Sequence, residues 1–362
     1  MIPYLEILDK YTLKKLAPVE PQECWFELSY QDVGEFEVYC RATQKNLQAL
    51  QKGRYVKIPN KRFIWVITAI RYTLAADGAR MISAKGYEAK WLLNKRCILT
   101  PKELQGTITT AVYGLVNHAL GTGANAARTI SDNKGNYKFF VGTNDLLIDI
   151  SGTQATRGNL LEFVNNLLKA YNCGSIVEYE NETLVYKIFT GAVKTQSVKF
   201  SQSLDNLLSS DYLTDDGEAA TSALVVSTVE DIDYTQDYDT GETGIDRAEI
   251  VVSSNLSTKY ETTNENGEVV EEETTPTSEL YKGWQREEGK TKLTEHITKE
   301  EANGEIDIAN SKYRFDKDFF IGDMIRVQDE YFNFFIDTRV SKYTFKQDAN
   351  GYGEEAEYGG KQ

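Results

Sequence analysis

The stretch that decides the fold lies near the C-terminus and reads Tyr313-Arg-Phe-Asp-Lys-Asp-Phe-Phe-Ile-Gly-Asp-Met-Ile-Arg-Val327. Its centre, Ile321-Gly322-Asp323, lies between two β-rich runs. Glycine tolerates a positive φ and aspartate can hydrogen-bond to its own turn backbone, so the pattern predicts a tight turn. A second run over residues 332–345 predicts a long strand that ends at a turn over Asp348–Gly351. The two runs predict a hairpin or a barrel edge, and not a catalytic pocket.

The first 98 residues predict a small β-domain. Residues 25–30 and 35–39 alternate apolar and polar side chains, which is the period of half-buried strands. Two β-branched runs flank Asp77-Gly78 and predict a hairpin. The second arm runs on through residues 86–96, which predict a strand that passes into one helical turn and contain Leu92-Leu-Asn-Lys-Arg96.

Residues 99–197 predict a compact α+β insert. Residues 107–120 place their apolar side chains on one helical face, and residues 159–171 predict a second amphipathic helix. Asn159 is a good N-cap for the second helix. Two β-rich runs at 175–179 and 183–189 predict a hairpin.

From residue 198 the pattern returns to β. We expect buried strands at 223–229 and 247–253, a projecting polar hairpin at 259–273 and a short helix at 293–302, after which 306–308 lead to the closing strands. The predicted fold class is α+β, mainly β. The predicted division is 1–98, 99–197, 198–254 together with 306–362, and a polar hairpin and helix excursion at 255–305.

Charge is unevenly spread along the chain. Residues 1–100 contain 16 Lys and Arg against 10 Asp and Glu, a net charge of +6. Because the whole chain has a net charge of −15, residues 101–362 carry −21. Residues 211–279 contain 19 acidic against 2 basic residues, a net −17. Such a field repels phosphate backbones and argues against nucleic-acid binding. It fits either a solubilising surface or a lumen through which DNA slides without sticking.

The composition also indicates the redox state of the cysteines and the compartment in which the protein folds. The four cysteines show no close pairing, so we expect reduced, buried thiols and neither a zinc knuckle nor a disulfide framework. No apolar run approaches the roughly 20 residues of a membrane span. The N-terminal residues lack the features of a signal peptide, so we expect folding in a cytoplasm.

The residues that carry most protein chemistry are sparse. Only His118 and His296 exist, on different predicted helices, and we expect His118 to be a satisfied, half-buried side chain. Asp231-x-Asp233 and Asp237-x-Asp239 lack the spacing of a calcium loop, and Gly121-Thr-Gly123 follows a helix where a dinucleotide cradle would open one. We therefore predict no catalytic, cofactor-binding or metal-binding residue, no cofactor, and no enzyme activity.

The order of these segments resembles that of phage tail-hub proteins, which share a fold with the N-terminal module of tail-associated lysins and with the baseplate hub of contractile phages. The resemblance rests on the aromatic-Gly-Asp pattern of the closing stretch, the long strand and turn after it, and Leu92-Leu-Asn-Lys-Arg96. It implies two tail-tube-like β-barrel modules with an α+β insert and a peripheral acidic region. It also implies a homotrimer that adapts a six-fold tail tube to three-fold tip machinery.

The same resemblance implies the partners and the location. The expected partners are the distal tail or tail tube protein, the tape-measure protein, and tail fibre or receptor-binding proteins, with DNA passing through a channel without specific binding. The expected location is the virion tail tip, after assembly in the host bacterial cytoplasm. Many relatives continue into a peptidase or fibre domain, whereas this sequence ends at Gln362, so we expect no cell-wall cleavage by the same polypeptide.

Two alternative functions stay open. The 22 Tyr and 4 Trp would suit a receptor- or carbohydrate-binding tail-tip protein. A carboxylate-dependent cell-wall hydrolase is the other, and it would need one carboxyl group with a raised pKa in a sugar-binding cleft.

Overall fold

The computed structural model describes residues 2–74, 78–207, 209–264, 268–305, 311–331, 334–349 and 351–359. The N-terminal region contains β1 (Leu5–Leu8), β2 (Lys15–Val19), β3 (Glu23–Ser29), β4 (Glu35–Arg41), α1 (Gln44–Ala49), β5 (Tyr55–Lys57), β6 (Trp65–Leu74), β7 (Arg80–Glu88) and a 3-10 helix (Ala89–Lys95). The strands predicted at 25–30 and 35–39 are confirmed as β3 and β4. The predicted hairpin is confirmed as the pair β6 and β7, and the helical turn after it as the 3-10 helix.

The middle region contains β8 (Cys97–Ile98), β9 (Lys102–Leu104), α2 (Ile108–Leu120), β10 (Phe139–Val141), β11 (Thr153–Ala155), β12 (Gly158–Asn159), α3 (Leu160–Ala170), β13 (Gly174–Glu180) and β14 (Thr183–Phe189). Both predicted helices and the predicted hairpin are confirmed. The Asn159 side chain accepts a hydrogen bond from the backbone N–H of Glu162, so it caps α3 as expected.

The remaining chain contains β15 (Lys199–Ser201), a 3-10 helix (Gln202–Leu204), β16 (Ser209–Asp215), β17 (Ser222–Val229), β18 (Ile232–Asp239), a 3-10 helix (Gly244–Asp246), β19 (Glu249–Ser254), β20 (Lys259–Thr263), β21 (Val269–Glu273), α4 (Glu279–Leu293), β22 (Lys299–Glu305), β23 (Met324–Asp329), β24 (Phe334–Asp348) and β25 (Gly351–Gly359). The helix predicted at 293–302 is wrong, because α4 ends at Leu293 and β22 follows. The true helix contains Gly283 and Gly289, which weaken helix propensity and hide it from the sequence pattern.

One sheet of thirteen strands joins the two ends of the chain. Its order is β16-β22-β25-β24-β3-β4-β7-β6-β5-β1-β2, with β23 and β15 branching from β24. The first half of β24 pairs with β23, and its second half lies between β25 and β3. The prediction of a mainly β fold is confirmed. The described strands follow one open order, so the predicted pair of β-barrel modules is not confirmed.

The largest core lies under this sheet and is rich in aromatic side chains. Phe315 stacks on Tyr343 with ring centroids 3.7 Å apart, and both rings are buried with Phe345 and Phe63. The run over residues 313–320 was expected to be a strand but forms turns with one isolated bridge between Phe315 and Phe319. Its aromatic residues fill the core instead of extending the sheet, which an apolar run cannot reveal by its pattern alone.

A second, smaller unit is formed by the sheet β18-β17-β19, with α4 packed against it. We expected the strands at 223–229 and 247–253 to belong to the second β-module, but they lie in this separate sheet. The first of them, which we expected to be buried, is buried on one face only, since Ala223 and Val225 are buried whereas Leu224 between them is exposed. The polar hairpin predicted at 259–273 is confirmed as β20 and β21, and β20 also pairs with β9 of the middle region.

Parts of several predicted features lie outside the described residues. These parts are the loop residues 75–77, the hairpin tip 265–267, the run 306–308, the start of the long strand at 332–333, and Asn350 of the last turn. Within the described residues, no helix is both long and apolar enough to cross a membrane.

The turn predicted at Ile321-Gly322-Asp323 is confirmed, and it lies where the three regions of the chain meet. Gly322 has a φ of +86°, and a Cβ added there would lie 2.3 Å from the ring of Tyr30. The Tyr30 hydroxyl donates to the carbonyl oxygen of Asn172 at 2.7 Å, and the Arg339 guanidinium lies 5.3 Å from the centroid of the Tyr30 ring. Glycine is therefore required at residue 322 for two reasons, the positive φ of its backbone and the closeness of the Tyr30 ring.

Asp323 fixes the same turn with its carboxylate. The carboxylate accepts hydrogen bonds from the backbone N–H of Phe320 at 2.9 Å and of Ala192 at 2.8 Å, and the Lys194 ammonium lies 3.3 Å away. The first bond closes the turn, as expected, and the other two attach the chain that leaves the insert.

A buried ammonium attaches the insert to the N-terminal sheet. Lys90 is fully buried, and its Nζ donates to the carbonyl oxygens of Ser29 at 2.5 Å and Ser175 at 2.9 Å. Its third neighbour is the Glu88 carboxylate at 3.5 Å. Burial lowers the pKa of Lys90 and raises that of Glu88, and the attraction between the two charges opposes both of these effects.

We expect Gly322→Ala to lower the free energy of unfolding by about 2–5 kcal/mol, because it adds overpacking against Tyr30 to the strain of a positive φ. The matched control is Gly106→Ala. Gly106 has a φ of +77° but no atom within 4 Å of an added Cβ, so only the backbone strain of about 1–2 kcal/mol applies. Urea unfolding of both variants measures the difference. An equal loss of unfolding free energy in the two variants would contradict close packing of Gly322 against Tyr30.

Candidate interaction surfaces

The joint sheet presents a continuous polar face on the side away from its core. We define the polar face by the outward side chains Trp25, Glu27, Glu35, Glu37, Tyr39, Arg41, Arg71, Lys85, Lys342, Thr344, Lys346, Glu355 and Glu357. The strand register places these side chains in rows, such as Lys346, Trp25, Glu37 and Lys85 across four neighbouring strands. Because side chains alternate along a strand, each of these residues lies between residues that face the core.

Charges of opposite sign alternate across the polar face. The Lys85 ammonium lies 2.8 Å from the Glu37 carboxylate, and the Lys342 ammonium lies 3.3 Å from Glu357 and 3.7 Å from Glu27. Lys346 pairs with Glu355 in the same way. The ammonium groups are thus neutralised within the protein, and the face offers no continuous basic track for a phosphate backbone.

Glu37 is the most buried carboxylate of this face. Burial by itself raises its pKa, but hydrogen bonds from Lys85, Tyr39 and Ser83 outweigh burial and leave the pKa below its usual value. The Ser83 hydroxyl donates to the carboxylate at 2.7 Å. Glu37 is therefore ionised at neutral pH and holds its neighbours in place.

The acidic segment 211–279 contributes only β16 to the joint sheet, and most of it forms β17 to β21 elsewhere. Its aspartates make local contacts. Asp233 accepts from the Thr228 hydroxyl at 2.6 Å, and Asp239 accepts from the backbone N–H of Gly241 at 2.7 Å and pairs with Arg247. In the part of the chain that the structure describes, no group of three or more His, Cys, Asp or Glu could hold a metal ion.

The histidines and cysteines lie apart from any common site. His118 is exposed on α2, so the prediction of a half-buried side chain is wrong, and His296 has its Nδ1 3.2 Å from the carbonyl oxygen of Glu218. All four cysteines are free. Cys24, Cys40 and Cys173 are buried as expected, whereas Cys97 is exposed on the two-residue strand β8.

A cleft of about 340 Å³ separates α3 from α4 and was not predicted. Its walls include the aromatic rings of Phe163 and Trp284 and the polar side chains of Asn166, Glu287 and Glu288. The buried indole N–H of Trp284 has no hydrogen-bond acceptor among the described residues. Burial raises the pKa of Glu288, although its carboxylate accepts from the Ser254 hydroxyl.

No sequence pattern indicates this cleft, because its lining comes from segments that begin near residues 153, 253 and 284. Pattern reasoning within one element cannot bring such distant segments together. The cleft combines concavity, aromatic rings and a carboxyl group with a perturbed pKa, which is the combination expected of a small-molecule site.

The sequence matches the profile of one protein family, described as Siphovirus ReqiPepy6 Gp37-like protein, over residues 6–359. No curated protein matches the sequence.

The fold is similar to those of several solved phage tail proteins. A tail protein from Neisseria meningitidis MC58 aligns with a TM-score of 0.56 and 11% identity, over 98% of this chain and 96% of that one. The 43 kDa tail protein of prophage MuSo2 from Shewanella oneidensis gives 0.54 and 13%, over 98% of both chains. Prophage tail protein gp18 from Listeria monocytogenes EGD-e gives 0.51 and 13%, over 98% and 94%. Identities this low show a shared fold and nothing finer.

We expect Glu288→Gln to stabilise the protein relative to wild type by an amount that grows as the pH rises above 4.5. A carboxyl with a raised folded pKa contributes stability below its unfolded pKa, and this contribution is lost as the pH rises through the folded pKa. Glutamine does not titrate, so the variant escapes that loss. Thermal unfolding from pH 4 to pH 8 measures the difference.

The matched control is Glu279→Gln on the same helix, where a hydrogen bond from Lys282 lowers the pKa of an exposed carboxyl. Its pH trend has the opposite sign and is small because of solvent screening. A pH-independent difference for Glu288→Gln would contradict a buried, costly carboxylate.

Proposed function

This chain belongs to the Siphovirus ReqiPepy6 Gp37-like protein family and has the fold of phage tail proteins, and from that premise we propose that it is a structural hub at the tip of the tail. In this role three copies form a ring that adapts a six-fold tail tube or distal tail protein to three-fold tip machinery. The ring would contact the end of the tape-measure protein and the tail fibre or receptor-binding proteins. It would assemble in the host cytoplasm.

The observation that carries the proposal is the polar face of the joint sheet. Both ends of the chain contribute strands to this face, so one subunit offers a single surface built from its N-terminal and its C-terminal strands. We infer that this face lines the channel. Its paired charges suit a wall past which DNA moves, because a wall of unpaired Lys and Arg would bind phosphates tightly. The acidic segment then acts on the outside of the ring as a solubilising surface.

We expect the purified chain to form a trimer, with a mass three times the 40.9 kDa of one chain. Analytical ultracentrifugation over a wide concentration range measures the mass, and electron microscopy of the particles should show a three-fold ring with a central hole. A chain that stays monomeric at every concentration and within purified tails, or a ring with another symmetry, would contradict the proposal.

The cleft between α3 and α4 favours a second candidate function, recognition of a cell-wall saccharide. Aromatic rings beside carboxylate and amide groups suit a sugar, whose apolar face can pack on a ring while its hydroxyls take hydrogen bonds.

If the cleft binds sugar, Asn166→Ala should weaken the binding of host wall polysaccharide about three- to tenfold, the effect of one lost hydrogen bond. Gln48→Ala, on an exposed part of α1 outside the cleft, serves as the control and should leave binding unchanged. Isothermal titration with purified polysaccharide measures both. If the polysaccharide does not bind to the wild-type chain, saccharide recognition by the cleft is wrong.

A further inference from the structure

Eight strands of the joint sheet alternate in direction without a break. In the order β16-β22-β25-β24-β3-β4-β7-β6, every neighbouring pair is antiparallel. Because the number of strands is even, β16 and β6 at the two ends run in opposite directions. A second copy rotated about a ring axis would therefore bring its β16 antiparallel to β6 of the first copy.

Both end strands have an open side. Among the described residues, β16 has β22 as its one neighbour. At the other end β5 pairs with β6 at Trp65 and Val66, and the backbone of Ile67 bonds to Gly53 and Arg54 just before β5. Among the described residues, the part of β6 after Ile67 pairs only with β7. We call Ser209–Asp215 the β16 edge and Thr68–Leu74 the β6 edge. Each edge is seven residues long.

By contrast, the outermost strand beyond β6, β5 and β1 is blocked against pairing with another chain. The last strand in the order is β2, and Pro18 lies within it. Proline has no N–H to donate and is a common device for preventing edge pairing. The β16 and β6 edges contain no proline.

The two edges also match face by face. On the polar face, Arg71 of the β6 edge lies beside Ser83, and Asp211 of the β16 edge lies in the row of Glu357. On the core face, Tyr72 is 61% and Leu74 68% exposed, beyond the point where their own core ends, while Tyr212 is 40% exposed on the same face of β16. If the sheet continues across two copies, the Arg71 guanidinium lies beside carboxylates on the polar face. On the other face, Tyr72 and Leu74 of one copy lie beside Tyr212 of the next.

We propose that neighbouring copies of this chain join by antiparallel pairing of the β16 edge of one copy with the β6 edge of the next. The proposal rests on the proposed function in one respect, that the chain forms a ring. The contact is heterologous, with two different edges meeting, and such contacts close into rings when the rotation permits. The β6 edge contains Arg71 as its one charged residue and the β16 edge contains Asp211 and Asp215, so the pairing also brings opposite charges together.

Face matching limits the register. Residues on the polar face of one edge must lie opposite residues on the polar face of the other, since a shift by one residue would turn every side chain to the wrong face. Arg71 therefore lies opposite Asp211 or Leu213, and not opposite Tyr212.

The first test is a charge exchange. We expect Arg71→Glu to weaken the self-association of the full chain about tenfold or more, because like charges then face each other, and we expect the double variant Arg71→Glu with Asp211→Arg to recover most of the affinity. Arg41→Glu, on the polar face of the interior strand β4, is the control and should leave association unchanged. Sedimentation measures all four proteins, and circular dichroism checks that each is folded.

The second test locates the contact by cross-linking. In a Cys97→Ser background, Arg71→Cys combined with Asp211→Cys, or with Leu213→Cys, should give oligomers linked by disulfides on mild oxidation. The combination with Tyr212→Cys should not, because that side chain is on the opposite face. A closed set of three linked chains is the largest product expected.

The outcomes separate the two proposals. If the wild-type chain forms trimers but neither the charge exchange nor the polar-face cysteine pairs have an effect, the edge pairing is wrong and the hub function stands. If the wild-type chain forms no oligomer at any concentration, the hub function fails and the edge pairing fails with it. Cross-linking through residue 212 in preference to 211 and 213 would also overturn the pairing.

Discussion

The pairing of β24 with β3 is the constraint on which the rest of the structure depends. It places Phe345 opposite Phe26 and Tyr343 opposite Leu28, so residues more than 300 positions apart share one core. Loop-closure entropy grows only slowly with loop length, so the long intervening chain is tolerated thermodynamically. Neither end of the chain has a complete core without the other, whereas the insert and the unit around α4 can be accommodated as excursions from the sheet.

The junction at Gly322 shows how these excursions are held. Tyr30 comes from the end of β3, and it contacts both Asn172 of the insert and Gly322 of the closing turn. The buried Lys90 repeats this connection nearby with hydrogen bonds to β3 and β13. Buried polar groups of this kind tolerate little displacement, because each donor and acceptor must find its partner. The insert is therefore fixed relative to the sheet by directional bonds as well as by apolar contact.

The features predictable from sequence were those encoded within one element. Asn159 marks the start of α3, Gly322 marks a turn with a positive φ, and the β6 and β7 hairpin follows from two β-branched runs. The joining of β3 to β24 was not predictable, since nothing local in either strand specifies a partner so distant in the chain. The aromatic run at 313–320 was misread because apolar residues that fill a core and apolar residues in a strand look alike. The cleft beside Trp284 and the open edges of the sheet depend on that same long-range assembly.

The distribution of the thiols has a practical consequence. Three of the four cysteines are buried, so Cys97 alone is accessible to a bulky reagent, and it lies on β8, outside the joint sheet. A maleimide spin label would therefore modify a single position without engineering. In a three-fold ring the three labels form an equilateral triangle, so pulsed electron spin resonance would report one distance, which sets the radius at which β8 lies from the symmetry axis.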